Sequence, residues 1–372
     1  MKFSDVPGHH EAKRRLIEMV QQGRLPHALL ISGPVGSGEV MLARAFAQYL
    51  HCTGRSATDG DSCGVCPSCR QHESLNHADL HFAYPILKKG TGVTLCEDYS
   101  PQWREMLQQD PWMDFRHWPE MLGKANGQPV IYVDEADVLR RKLSMSARTS
   151  DLNIAFVWLP ERMVPATANS LLKLIEEPEP GSMFIMVSNA PAEILPTVYS
   201  RCQRVELRRL SDSEVAAVIG AGLNPADAMA AAHTAEGNVI AARDMLGADS
   251  AQRDLDLFMQ LMRLAYQRRV GDLKAWGDTV AALGRDNICR FLDYCQRMVR
   301  ENFILNLGVP DLNYLTADES KFSARFCPFI NERNVEGLIK ELNDAETDIR
   351  GNVSAKIVLF DLAIKVIILL KA

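Results

Sequence analysis

Two hydrophobic periods alternate along the first half of the chain. "HALLIS" (27–32) is a short apolar run that stops at glycines and predicts a buried strand. "EVMLARAFAQYL" (39–50) then places apolar residues at helical spacing. "NIAFVWL" (153–159) and "MFIMVSN" (183–189) have the length and composition of two further strands. Between them, "PATANSLLKLIEEP" (165–178) puts Leu171, Leu172 and Ile175 on one face of a helix that Pro178 ends. Strands separated by helices predict an α/β domain whose parallel sheet is covered on both faces. Residues 88–111 lack a clear period and are expected to form a loop with short helices.

From Leu210 onward the pattern is helical. Ser211 with Glu214 has capping-box spacing and opens a small all-helical unit; long helical patterns run from about 248 to the end. Boundaries are placed near 209 and 248. The most apolar stretch, "IVLFDLAIKVIILL" (357–370), is too short to cross a bilayer and carries Asp361 and Lys365, which predicts a buried amphipathic helix.

Length agrees with this division: 372 residues exceed one compact core and suggest two or three domains. Lys plus Arg is 41 against 47 Asp plus Glu, a formal net charge of -6. That excludes coating nucleic acid by bulk charge and leaves room for a local basic face. The opening stretch, "MKFSDVPGHHEAKRRLIEMV", has neither an uninterrupted apolar core nor a cleavage site, so a cytoplasmic protein without an export signal is expected. In that setting clustered cysteines point to a metal before disulfides.

Such a cluster exists. Cys52, Cys63, Cys66 and Cys69 are spaced C-x10-C-x2-C-x2-C within a polar loop. Two residues between cysteines let both thiolates turn onto one ion while backbone amides donate to the sulfurs, and a fourth thiolate closes a tetrahedral shell. A filled shell makes the expected zinc structural rather than catalytic. The alternatives are four unligated thiols and an iron–sulfur cluster, although the x3-C-P continuation of ferredoxins is missing after Cys69. Cys96, Cys202, Cys289, Cys295 and Cys327 are scattered and read as ordinary thiols.

"GPVGSGEV" (33–40) follows the first predicted strand and approximates the phosphate-binding pattern GxxxxGK[ST]. Gly33, Gly36 and Gly38 keep the cradle, but Glu39 stands where Lys is required and Val40 where a hydroxyl binds magnesium. One charge pair at 4 Å is worth about 4 kcal/mol at an effective dielectric near 20, so reversing its sign costs roughly twice that before screening. A carboxylate in a first helical turn interacts well with the helix dipole. Loop geometry kept without triphosphate chemistry is therefore expected; weak anion binding through backbone amides is the alternative.

These stretches, in this order, resemble the delta-prime family of bacterial DNA polymerase III clamp-loader subunits. "RLPHALLISGPVGSG" (24–38) resembles the family's entry into its nucleotide-binding fold, and the four-cysteine insert its zinc module. "ATANSLLKLIEEP" (166–178) resembles its A-x-N-x-LLK-x-LEEP helix, and "LPTVYSRCQ" (195–203) its Ser-Arg-Cys motif. The C-terminal third is only generically similar. The resemblance implies a RecA-like AAA+ domain over 1–208 with the zinc module at 52–69, a small helical lid over 209–247 and an all-α collar over 248–372. It further implies a hetero-pentameric ring that places a sliding clamp on primed DNA, and no membrane partner.

Within that frame the chain is expected to bind neither ATP nor magnesium productively. "VIYVDEADVL" (130–139) looks like a Walker B strand but lies about thirty residues too early. The family's acidic pair precedes the LLK-x-LEEP helix, where this chain has Trp158 and Leu159. Asp134 is read as a helix N-cap, with Asp137 as its partner in the first turn. Arg201, in "YSRCQ", is implied to act in trans as an arginine finger on a neighbour's ATP. Two alternatives are an active AAA+ motor that uses Asp134, and a zinc-containing nucleic-acid-binding module on a decayed ATPase fold. Arg140, Arg141, Lys142 and Arg148, like the stretch "LMRLAYQRR" (261–269), read either as solvated helix faces or as contacts to nucleic-acid phosphates. His9, His10 and His27 lack ligand spacing.

Overall fold

A computed structural model describes the 372-residue chain except residues 56–59, 125–126, 247, 310–311, 352 and 372. The strands are β1 (Ala28–Ser32), β2 (Leu80–Ala83), β3 (Asn153–Trp158), β4 (Ser182–Ser188) and β5 (Gln203–Glu206). They form a five-stranded sheet, all pairs parallel, in the order β2-β3-β4-β1-β5. Leu30 of β1 lies opposite Met186 of β4 and Arg204 of β5, and Phe156 of β3 opposite Ile185 of β4 and Phe82 of β2.

Burial explains which strands the pattern reveals. Every residue of β1, β3 and β4 is buried, as expected of central parallel strands covered on both faces, and these are the three apolar runs. Edge strands β2 and β5 are half-exposed and carry His81, Arg204 and Glu206, so composition alone does not mark them. Below the sheet, Ala28, Leu30, Ala155, Val157, Phe184 and Met186 pack with Leu171, Leu174 and Ile175 of the helix Pro165–Glu176.

The unperiodic stretch contains a short 3-10 turn, Cys96–Tyr99, and the helix Ser100–Gln109. Its Trp103 stacks on Tyr84 at 4.1 Å and meets Trp118 and Trp158 edgewise or tilted, at 5.8 and 5.3 Å. Trp103, Met106 and Leu107 form the buried face of this helix, a helical period too short to mark it in the sequence, and the indole cluster anchors it.

The chain divides into two compact units. One comprises Met1–Val218 with Glu236–Ile240, the other Ile219–Ala235 with Ala241–Ala372. The capping box at Ser211 forms as expected: the Glu214 amide donates to Ser211 Oγ at 3.3 Å and the Ser211 amide to Glu214 Oε2 at 2.8 Å, opening the helix Asp212–Ile219.

The second unit is helical, built from Ala248–Tyr266, Val270–Ala281, Arg285–Asn306, Val335–Arg350 and Ala355–Leu369 around Phe258, Leu261, Trp276, Phe291, Leu338 and Leu359. The last helix corrects the amphipathic expectation. Val358, Leu359, Leu362, Ala363 and Val366 face the core, while Ile357 and Ile368 on the other side are 69% and 66% exposed. Apolar residues line both sides, so no polar face forms. No described helix is long and apolar enough to cross a membrane.

Candidate functional site

The glycine loop leaves β1 and enters the helix Glu39–His51. Gly36 and Gly38 have φ of 76° and 91°, a left-handed backbone that a side chain strains. Neighbours press on both. A Cβ on Gly36 would lie 2.0 Å from Asn238 Oδ1, and one on Gly38 3.2 Å from the Trp112 ring. The Val239 amide donates to Gly36 O at 3.2 Å, and His9 Nε2 donates to Ser37 O at 2.7 Å.

Glu39 turns inward. It is 3% exposed, and its Oε1 accepts from Asn189 Nδ2 at 2.6 Å while Oε2 accepts from Ser37 Oγ at 3.0 Å. Asn189, directly after β4, also donates to Gly33 O at 3.2 Å. Burial pushes the Glu39 carboxyl above its ordinary range, against the opposing effect of these hydrogen bonds. The protein's own carboxylate thus takes the loop hydroxyl of Ser37 and the side-chain amide of Asn189. Val40 is buried and apolar.

At the end of β3, Trp158 packs its ring against Trp103, Phe115 and Trp118 instead of presenting an acid. Leu159 takes a left-handed φ of 57° and donates its amide to Val187 O at 2.8 Å. Glu161, three residues past Trp158, was missed in sequence because it falls outside the family's acidic positions. Its Oε1 accepts from the Asn189 and Ala190 amides at 3.2 and 3.3 Å, and burial raises its pKa. It braces the end of β4 beside Glu39's partner.

The "DEAD" stretch lies off the sheet. Val130 and Ile131 form only isolated bridges, to Ile86 and Met163. The helix Val133–Leu143 has Tyr132 at its N-cap without a side-chain bond, so Asp134 sits inside the first turn rather than capping it. The helix begins one residue before Asp134, which puts that carboxylate in the first turn, where the helix dipole favours it. Glu135 is buried and accepts the Cys96 amide at 2.9 Å; burial raises its pKa. Asp137 pairs with Arg140 at 2.6 Å and Lys142 with Glu97 at 2.6 Å, which ties down two of the four clustered cations.

Arg201 follows the short helix Pro196–Tyr199 and precedes β5. Its guanidinium is partly exposed, forms an ion pair with Glu176 and donates to Thr197 O at 2.7 Å. Glu176 ends the Pro165–Glu176 helix, so the two motif stretches meet at this contact.

At the far end of the loop helix the four cysteines converge. Their sulfurs lie within 4.8 Å of one another, Cys52 to Cys63 at 3.5 Å and Cys63 to Cys69 at 4.0 Å. A tetrahedral ion with metal–sulfur bonds of about 2.3 Å separates its sulfurs by about 3.8 Å. A cluster of several irons would hold them further apart. The Cys63, Cys66 and Cys69 amides donate to the sulfurs of Cys52, Cys63 and Cys66 at 3.3, 3.4 and 3.5 Å. Burial raises the Cys66 thiol, but amide donors including Cys69 outweigh it and bring it down to about 5. Cys69, more deeply buried, is raised. The donor set can hold one four-coordinate metal ion.

Beside it lies a group that spacing did not announce: His51, His72 and His77, all buried. Neutral tautomers satisfy them. His51 Nε2 donates to Leu152 O at 2.8 Å, His72 Nε2 to His51 Nδ1 at 2.8 Å and His77 Nε2 to Ser68 Oγ at 2.8 Å, while the Asp79 amide donates to His77 Nδ1 at 3.2 Å. Burial lowers His51 to about 3 and His72 to about 2. The His51 and His77 rings stack at 4.1 Å, and one ion cannot lie in both ring planes. These imidazoles form packing beneath the thiolate module.

The delta-prime subunit of DNA polymerase III from Haemophilus influenzae is 30% identical over 199 residues, 53% of this chain and 46% of that protein. The Bacillus subtilis delta-prime subunit is 25% identical over 203 residues, 54% of this chain and 47% of that protein. The matches thus span about half the length of these curated relatives. A solved gamma-subunit-related protein of DNA polymerase III from Thermotoga maritima aligns over 96% of this chain and 99% of its own, with 12% identity and a TM-score of 0.42. Residues 8–211 match the family model described as DNA polymerase III, delta subunit. More than half of the chain is matched, and the chain therefore belongs to this DNA polymerase III delta-subunit family.

Proposed function

We propose that the chain is a non-hydrolysing, delta-prime-type subunit of a hetero-pentameric clamp loader working in the cytoplasm, with a structural zinc ion on Cys52, Cys63, Cys66 and Cys69. It binds neither ATP nor magnesium productively and helps place a sliding clamp on primed DNA. The observation that carries this reading is the Glu39 carboxylate held inside the glycine loop by Ser37 and Asn189. Trp158, packed where a metal-binding acid is required, supports it.

Arg201 supplies the contribution to catalysis. Its ion pair with Glu176 holds the guanidinium at the surface with a defined orientation, as a finger acting in trans requires. In the three-part division, the lid (209–247) and collar (248–372) provide the ring contacts. The exposed Ile357 and Ile368, with Phe360 and Ile364 at helical spacing between them, suit a subunit interface.

The test is ATPase activity of the ring assembled with candidate loader subunits. Arg201→Ala is expected to lower turnover at the adjoining site by about three orders of magnitude with assembly unchanged. Asp134→Asn should leave the rate unaltered. An unchanged rate for Arg201→Ala rejects the finger; loss of activity in Asp134→Asn selects the motor reading. Robust turnover by the isolated chain, abolished by a substitution in the glycine loop, rejects the non-hydrolysing role.

A further inference from the structure

Residues 2–9 run between the thiolate module and the glycine loop. Asp61, two residues before Cys63, holds the near end: its Oδ1 accepts from the Phe3 amide at 2.9 Å and its Oδ2 from the Ser4 amide at 3.0 Å. The Ser62 amide donates to Asp61 Oδ1 at 2.7 Å, and Gln48 Nε2, on the loop helix, donates to Ser62 Oγ at 2.9 Å. Gly64, between Cys63 and Cys66, lies so close to the Lys2 side chain that a Cβ there would overlap it. Phe3 is buried, with its ring 5.5 Å from that of Tyr49.

The segment's far end meets the glycine loop. Val6 is buried, and its carbonyl accepts from Lys13 Nζ of the helix His10–Gln21. His9 follows with a left-handed φ of 52° and sets its ring on Ser37 O. Between these anchors the segment has only the 3-10 turn Phe3–Asp5, too short to persist by itself. Asp61 belongs to no helix or strand either. What places it is its neighbour Cys63, whose amide donates to Cys52 Sγ and whose sulfur joins the other three.

We propose that the thiolate module is a metal-dependent clamp on residues 2–9. With the ion bound, Cys63 fixes Asp61, Asp61 holds the amides of Phe3 and Ser4, and the held segment keeps His9 on the glycine loop. Every link lies within the unit that carries the sheet. The clamp rests on the metal site proposed above and does not depend on how the chain treats ATP.

The test is hydrogen exchange of the full chain, read by mass spectrometry with zinc bound and after chelation, below the melting temperature of both forms. Chelation is expected to speed exchange over residues 2–6 by about 10-fold or more, and over 33–38 by a smaller factor, while β1, β3 and β4 stay protected. Asp61→Ala keeps all four cysteines. It should open 2–6 to the same extent with its zinc content unchanged. Unchanged exchange over 2–6, in the stripped protein or in Asp61→Ala, overturns the clamp. Opening of 2–6 that leaves 33–38 as it was also overturns it, by severing the segment from the loop. So does exposure of β1, β3 and β4 on chelation, since the ion would then hold the whole sheet. A chain that takes up no zinc rejects the metal site and the clamp together; the other adverse outcomes, seen with zinc bound at the start, reject the clamp alone.

Discussion

The helix Glu39–His51 has a candidate site at each end, and the two ends differ in how their polar groups are satisfied. At the N-terminus, glycines, hydroxyl and carboxylate close on one another: Glu39 takes both Ser37 and Asn189, and Trp112 lies over Gly38. At the C-terminus, Cys52 joins three other sulfurs that face one another at contact distance, with amides donating to them. The first arrangement is complete without a ligand. The second brings four sulfurs to a spacing at which one metal ion could be held. A motif's spacing survives in both; the two ends differ in how far their polar groups already find partners within the chain.

Metal removal should expose that difference most strongly. Structural zinc holds about 10 kcal/mol or more of binding free energy in isolated fingers, and that energy is folding energy. Cys69→Ser is expected to lose the bound metal and to lower the melting temperature more than any substitution in the glycine loop. Metal analysis and thermal unfolding with and without chelator check this. Wild-type stability after complete removal of metal would mean that the thiolate module, too, is complete by itself.

Restoring the loop's lettering is the next test. Glu39→Lys with Val40→Thr recreates the phosphate-binding pattern, yet the ammonium would face Asn189 Nδ2, another donor, in a buried position. The double variant is expected to lose about 3 kcal/mol of stability, as an uncompensated buried charge does, and to gain no nucleotide affinity. Denaturant unfolding and titration with a fluorescent nucleotide report both quantities. Tight magnesium-dependent binding would show that Glu39 and Val40 alone keep the site shut.

How far this contrast was visible beforehand follows from the physics of each signal. Strands β1, β3 and β4 announce themselves because two-sided burial demands continuous apolar runs; β2, with His81 at its half-exposed edge, does not. The four cysteines and the degraded loop were legible because they are local in sequence. Glu161 was not, since its role depends on the chain turning at Leu159 to bring its carboxylate to the Asn189 amide. The three histidines were equally hidden: His51, His72 and His77 meet only after the loop helix and the module fold together. The cap was placed two positions too late, at Asp134, because a cap is defined by where the backbone turns and Tyr132, not Asp134, makes that turn.

The finest test concerns the proton on Glu39. Burial raises its folded pKa, so between the unfolded value near 4.3 and the higher folded value the native state binds more protons than the unfolded chain. Wild-type stability therefore carries a contribution that declines as pH rises through that window and levels off above it. Glu39→Gln removes the titration while keeping the shape: its oxygen can accept from Asn189 and its amide can donate to Ser37 Oγ. At the acidic end the two proteins should differ by less than about 1 kcal/mol, one neutral hydrogen-bonded group replacing another. With rising pH the variant should become progressively the more stable. Glu135 and Glu161 shift in the same direction but are present in both proteins and cancel in the difference. Urea unfolding of the pair across this pH range measures the slope. A difference that stays flat, or that moves in favour of the wild type, would mean that the Glu39 carboxylate is stabilised as an anion, leaving the loop electrostatically closer to a phosphate site than its hydrogen bonds suggest.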